Sequence, residues 1–235
     1  MALVWSIVVA GGSGRRFGRL KQFAPLLGRP VADWSVEACR AHSAGVVLVV
    51  PAGRTGDGGL HGADTVVDGG ATRADSVRRG LASVPAEAEV IIVHDAARPL
   101  ASPALFRAVI RAVTGSEDER AGTDRTGATT TVGAGGAIPG VPVHDTIKEV
   151  HPTDPAGTRR VRATLDRSAL VAVQTPQAFR ADLLRRAHHA ESDATDDAAL
   201  VEALGAVVVV VPGDPRNLKI TTPADLHEAE RLLSE

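Results

Sequence analysis

The chain has 235 residues, 44% of them hydrophobic and 23% charged, a makeup that supports one sizeable core in an ordinary globular protein. A net charge of −2, with only 3% aromatic residues and no tyrosine, excludes the basic surface and stacking rings of a bulk nucleic-acid binder. No apolar run reaches the ~18 residues of a membrane helix. A single cysteine, Cys39, excludes an intramolecular disulfide, suits a reducing cytoplasm and reads as a small core hydrophobe on a helix.

Residues 5–10, WSIVVA, read as a first strand and not as a leader peptide, since they lack a basic segment and run straight into a glycine loop. That loop, Gly11-Gly12-Ser13-Gly14-Arg15-Arg16, lacks the Gly-Lys-Ser/Thr of a Walker loop. It also misses the dinucleotide fingerprint, because the third glycine falls one place late, at Gly18. Hydride-transfer enzymes and P-loop hydrolases are both disfavoured. A strand, backbone N–H groups able to approach a phosphate, and the cations Arg15, Arg16 and Lys21 remain. Lys21 stands out because Lys21, Lys148 and Lys219 are the only lysines among 26 basic residues. An ammonium kept in an arginine-rich chain points to places that need a compact charge on a flexible stem.

Strands are expected at 45–50 (GVVLVV) and 64–67 (DTVV). GGATRADSV (69–77) then opens a helix; its glycines allow close backbone approach and Ser76 can reach a base edge, although Asp75 or Ser76 also reads as an ordinary cap. The strand EVIIVHDA (89–96) ends on Asp95, placed where open α/β sheets bind ligands. A lone carboxylate there can share Mg²⁺ with nucleotide phosphates, and Arg98 can reach an anion. Residues 102–115 read as a helix capped by Ser102 with Pro103 at its first position. The polar, glycine-rich stretch 114–136 reads as a mobile loop, and 139–165 as a projecting hairpin too polar for a core. A strand at 170–176, helices at 181–191 and 195–205, and a strand at 206–213 complete the alternation. The last helix, 222–235, has Thr222 as cap and Asp225 closing a capping box. The continuous β-branched runs predict strands buried on both faces of a mainly parallel sheet, in a three-layer α/β sandwich formed by one domain, 1–235.

Taken in order, AGGSGRR…LKQ, GGATRADSV, HDAARP, PVHDTIK, TLDR, QTPQAF, TDDA and NLKITTP resemble the 2-C-methyl-D-erythritol 4-phosphate cytidylyltransferases of the non-mevalonate isoprenoid pathway. One such motif is weak evidence; eight in order across residues 8 to about 230 are strong. The resemblance implies a Rossmann-like nucleotidyltransferase fold and a cytoplasmic enzyme that joins CTP to methylerythritol phosphate with loss of pyrophosphate, with Mg²⁺ as cofactor. It further implies that Arg16, Lys21 and Lys219 neutralise the triphosphate and the transition state, with Asp95 beside the metal. Ala10, Gly11, Gly12, Gly14, Gly70, Ala71 and Ser76 match positions that hold the nucleotide. Arg98, Thr146, Arg167, Thr175 and Thr195 match positions near the second substrate. Thr146 and Arg167 lie on the 139–165 arm, so the resemblance implies a homodimer whose sites are completed in trans. The rival within this chemistry is a ribitol-5-phosphate cytidylyltransferase, which shares the loop and HDA; from another class, a catalytically dead nucleotide-binding protein would have lost Arg16, Lys21, Asp95 or Lys219, and all four are present.

Overall fold

Side chains that alternate along the buried strands decide the architecture, because each strand must feed a core on both of its faces. A computed structural model describes residues 2–12, 17–18, 20–56, 62–115, 133–154, 157–189 and 196–235. In chain order its strands are β1 (Val4–Val9), β2 (Pro25–Leu26), β3 (Arg29–Pro30), β4 (Gly45–Val50), β5 (Thr65–Asp68), β6 (Val90–Asp95), β7 (Gly136–Pro142), β8 (Lys148–Val150), β9 (Val161–Thr164), β10 (Val171–Val173), β11 (Gln177–Arg180) and β12 (Val208–Pro212). The helices are α1 (Val31–Arg40), α2 (Arg73–Leu81), α3 (Pro103–Thr114), α4 (Ala181–His189), α5 (Asp197–Glu202) and α6 (Pro223–Leu233).

Strands β5, β4, β1 and β6 lie side by side and parallel, with Val9 opposite both Val49 and Asp95. Beyond β6 the sheet turns mixed: β11 is antiparallel to β6 and β7, β10 is antiparallel to β7, and β12 runs parallel to β7. Val8, Leu48 and Ile92 point to one face, where they pack on Val36 and Cys39 of α1 and Phe106 and Val109 of α3. Ile7, Val47, Val49, Ile91 and Val93 point to the other, against Val77 of α2, Leu184 of α4 and Val201 of α5. The result is the expected three-layer sandwich. Cys39 is fully buried, and burial pushes its thiol up to about 12, which keeps it an inert core group.

A third, smaller core lies outside the sandwich. Phe17, Ala24, Leu26 and Val31 pack there against Ile220, Leu226 and Ala229, so the segment after β1 and the C-terminal helix share one apolar centre. The β2–β3 hairpin belongs to it and closes through Leu27-Gly28, both at positive φ (47° and 79°), the pairing that a two-residue hairpin turn requires.

Several expectations need correction. Residues 170–176 do not form one buried strand: β10 is exposed along its length, and the chain bends before β11. The 206–213 run is only partly buried, since β12 pairs with β7 alone among the described strands. Both are strands at the rim of the sheet, where β-branched residues satisfy pairing without double-sided burial. Ser102 occupies the N-cap of α3, but its side chain makes no capping hydrogen bond. Residues 139–142, read as the start of the projecting hairpin, belong to β7 in the main sheet; the paired hairpin strands are β8 and β9. Of the stretch 114–136, residues 116–132 lie outside the described residues. No helix among the described residues is long and apolar enough to cross a membrane.

Candidate functional site

Parallel strands end at one edge, and the loops that leave those ends enclose a cavity of about 390 Å³ there. After β1 the chain runs through Ala10, Gly11 and Gly12. The buried Gln22 amide holds this turn, donating to the Ala10 carbonyl at 2.7 Å and the Gly12 carbonyl at 3.2 Å. After β5, Gly69 and Gly70 lead into α2. Thr72 caps that helix in a full capping box with Asp75, so the cap is neither Asp75 alone nor Ser76. Ser76 braces the loop between β5 and α2 instead: its hydroxyl donates to the Thr72 carbonyl (2.9 Å) and accepts from the Gly70 N–H (3.2 Å). A Cβ on Gly11 would stand 3.2 Å from that hydroxyl oxygen, and one on Gly70 would collide with Asp75. Close approach therefore requires a glycine at Gly70, while a side chain at Gly11 would press on the Ser76 hydroxyl.

Asp95, at the end of β6, faces the cavity floor. Lys219 Nζ lies 2.5 Å from its Oδ2, and Arg73 Nε lies 3.6 Å from its Oδ1. Burial alone would raise this carboxyl, but the Lys219 and Arg73 charges outweigh it and hold it down at about 2. Behind Asp95, Thr175 Oγ1 accepts from the Asp95 N–H at 3.0 Å and pairs with His94 Nδ1 at 3.1 Å. His94 is fully buried, and burial pushes its imidazole down to about 4. Its Nε2 faces the Arg98 carbonyl at 3.2 Å; a carbonyl only accepts, so Nε2 carries the proton and Nδ1 accepts from Thr175.

The two lysines reach the cavity from opposite ends of the chain. Lys21 Nζ donates to the Ile220 carbonyl at 2.7 Å, next to Lys219, and Ile220 N–H donates to the Ala97 carbonyl at 2.8 Å. The third core thus fixes Lys21 and Lys219 relative to each other and to the end of β6. Lys148, the remaining lysine, bonds Thr164 across the β8–β9 hairpin at 2.6 Å and does not line the cavity.

Of the residues singled out in the sequence, Ala10, Gly11, Gly12, Lys21, Gly70, Ala71, Ser76, Asp95 and Lys219 line this one cavity. Arg98 and Thr175 lie behind it. Arg98 donates to the Asn217 carbonyl (2.7 Å) and the Val173 carbonyl (3.3 Å), while its buried Nε has no partner among the described residues. Thr146 and Arg167 are exposed near the β8–β9 hairpin, and Arg167 bonds the His144 carbonyl. Gly14, Arg16 and Thr195 lie outside the described residues. Sequence reasoning passed over Gln22, Arg73 and Asn217, although each stands in or beside a quoted motif. Asn217 donates to the Thr175 carbonyl at 2.9 Å and so locks the chain before β11 to the C-terminal segment.

The donor set bears on metal binding. Among the described residues, Asp95 is the sole carboxylate lining the cavity, and no group of three or more His, Cys, Asp or Glu side chains could enclose an ion. That fits Mg²⁺, which binds through one or two carboxylates together with substrate phosphates and water.

Comparison with known proteins turns this geometry into a family assignment. Residues 4–235 match the family model described as IspD: 2-C-methyl-D-erythritol 4-phosphate cytidylyltransferase. A protein of that description from Nocardia farcinica (strain IFM 10152) is 45% identical, the alignment covering 98% of this chain and 94% of that protein. The bifunctional enzyme IspD/IspF of Anaeromyxobacter sp. (strain Fw109-5) is 43% identical over 98% of this chain but only 57% of its own, so the chain spans little more than half the length of such relatives. The crystal structure of 2-C-methyl-D-erythritol 4-phosphate cytidylyltransferase from Thermus thermophilus superposes with a TM-score of 0.74 at 33% identity, covering 100% of both chains. The sandwich is accordingly the Rossmann-like nucleotidyltransferase fold. Loop, carboxylate and paired lysines all fall within the matched span, and the chain belongs to the 2-C-methyl-D-erythritol 4-phosphate cytidylyltransferase family.

Proposed function

We propose that this chain transfers the cytidylyl group of CTP to 2-C-methyl-D-erythritol 4-phosphate, giving 4-diphosphocytidyl-2-C-methyl-D-erythritol and pyrophosphate. The observation that carries the reading is the convergence of Lys21, Asp95 and Lys219, from three distant parts of the chain, on one glycine-walled cavity at the strand ends. Two anions must meet for this reaction, so catalysis is positioning and charge neutralisation. A phosphate oxygen of the methylerythritol substrate attacks the α-phosphorus of CTP, the bond to the bridging oxygen breaks, and pyrophosphate leaves opposite. Ala10–Gly12, Gly14, Gly70, Ala71 and Ser76 hold the nucleotide. Arg16 and Lys21 neutralise the triphosphate from the loop side, and Lys219 faces the α-phosphate and the incoming oxygen from the other. Asp95, ionised down to about pH 2, is the residue that would hold Mg²⁺. When bound, the ion supplies charge to the phosphate oxygens.

Arg98, whose buried Nε has no hydrogen-bond partner among the described residues, and Thr175 and Thr195 serve the second substrate. We assign Thr146 and Arg167 to a neighbouring subunit's site. Exposed Val150, Val161 and Leu165 around the hairpin, and Val171 and Val173 at its base, offer the apolar strip by which the 139–165 arm makes a homodimer of one-domain subunits. A reducing cytoplasm suits the buried, unreactive Cys39 thiol.

Incubation of the protein with CTP, Mg²⁺ and 2-C-methyl-D-erythritol 4-phosphate is expected to release pyrophosphate. Faster turnover of ribitol 5-phosphate in the same assay would move the assignment to that polyol.

A further inference from the structure

Arg73 enters the cavity already committed to a second carboxylate that the reaction does not use. Its Nη1 lies 2.7 Å from Asp197 Oδ2, while its Nε lies 3.6 Å from Asp95 Oδ1. Asp197 is the first residue of α5, with a side chain only 1% exposed, and its other oxygen accepts from His188 Nε2 of α4 at 2.9 Å. Because a carboxylate oxygen only accepts, Nε2 is the donor in this contact, while His188 Nδ1 is buried without a hydrogen-bond partner among the described residues. A row of side chains therefore runs from α4 through α5 and α2 to the end of β6: His188, Asp197, Arg73, Asp95, Lys219.

Burying two carboxylates and a guanidinium adds little stability over apolar side chains of the same volume, so the row points to a task other than holding the fold. Burial alone would lower the proton affinity of Arg73, but Asp197 and Asp95 pull on it from two sides and, with nearby Asp196, raise that affinity. Asp197 takes the short bond. Arg73 is thereby kept at arm's length from Asp95, and Oδ2 of Asp95 stays open to Lys219. If Asp197 swung away, the guanidinium would lose its short bond and its fixed place, swinging between Asp95 and solvent and disturbing the Asp95–Lys219 contact.

We propose that Asp197 and His188 are positioning residues: His188 fixes Asp197, Asp197 fixes Arg73, and the placement of Arg73 sets the Asp95–Lys219 pair that faces the reacting phosphorus. The kinetic part rests on the function proposed above; the structural part does not. The decisive variants are His188→Leu, which removes the donor, and His188→Gln, which returns an N–H near the position of Nε2.

In the ligand-free protein, ¹⁵N NMR of the Arg73 Nε–H, identified by its loss in Arg73→Lys, is expected to show slow exchange with solvent. Exchange should accelerate at least about tenfold in His188→Leu and return most of the way in His188→Gln, as for other residues that orient a site from behind. In the pyrophosphate assay, run well below either variant's unfolding temperature, kcat should fall about tenfold in His188→Leu with KM for CTP within about twofold, and recover in His188→Gln. Unchanged Arg73 exchange in His188→Leu overturns the proposal, and so does a kcat loss that His188→Gln does not relieve. A protein that shows the exchange effect yet never releases pyrophosphate refutes the proposed reaction and leaves the Arg73 link standing.

Discussion

At the scale of single residues, the chemistry of the cavity depends on groups that never face it. His94 keeps Thr175 oriented only as a neutral ring, because its one proton is given to the Arg98 carbonyl. Burial holds its imidazole at about 4, while an unfolded histidine titrates near its ordinary 6.5. Between those values the unfolded chain takes up a proton that the folded one refuses, so stability is full above about pH 6.5 and is lost as pH falls toward 4. The slope reaches up to ~1.4 kcal/mol per pH unit from this one group. His42, also pushed down by burial and then by Arg107, adds in the same direction. Urea unfolding at pH 7, 6 and 5 is expected to show a shallower decline for His94→Gln than for the parent protein; equal slopes would refute this account. In the proposed reaction Lys219→Ala would remove a cation from the reacting phosphate, and it is expected to lower kcat by ~10²-fold or more in the pyrophosphate assay. Unchanged kcat would show that its contact with Asp95 is structural alone. Lys21, Lys219 and Asp95 were legible because scarcity of lysine and the end of an apolar strand mark them. Arg73 and Asp197 were not, since nothing local in TRADSV or TDDA says that residues 124 positions apart will form an ion pair.

At the scale of elements, two capping boxes deliver the site's loops. Thr72 opens α2 directly beside Gly70, and Thr222 opens α6 three residues after Lys219. Thr222→Ala is expected to cost about 1 kcal/mol of unfolding free energy, the usual worth of such a cap, and equilibrium denaturation measures it. Gly70→Ala strikes closer to function. Its methyl would collide with Asp75 inside the α2 capping box, so the glycine turn must open and calorimetric CTP affinity should drop at least tenfold, with the sheet intact by circular dichroism. Wild-type affinity in that variant would remove Gly70 from the nucleotide site. The α6 box and the buried strands were readable directly: residues 45–50, and 5–10 with only Ser6 interrupting, announce double-sided burial by their apolar runs. Residues 170–176 carried the same signal and misled, because β-branched side chains also suit an exposed rim strand, and sequence alone does not say which neighbours a strand will have.

For the molecule as a whole, the described fold gathers Lys21, Asp95 and Lys219 at one cavity and leaves Thr146 and Arg167 out on the surface. If a second copy of the chain supplies them, mixing inactive Arg167→Ala and Lys219→Ala proteins, after dissociation and reassembly, should restore activity to a fraction of wild type. Sedimentation would show the dimer throughout. A fully inactive mixture that is nonetheless dimeric would place the arm outside catalysis. The order of eight motifs along the chain made the overall fold and family readable, whereas the arm's destination depends on a surface that a single sequence does not contain.

The small core beneath the two lysines has a genetic consequence. Lys21 and Lys219 are spaced by how Leu26, Ile220, Leu226 and Ala229 pack, and none of those four touches the cavity. Saturation mutagenesis scored by growth that depends on the proposed reaction should therefore return two kinds of loss-of-function alleles: polar ones lining the glycine loops, and greasy ones scattered over the inward stripe of the terminal helix. Alleles of the second kind would look like distant stability defects on a map, yet act by moving one ammonium away from another.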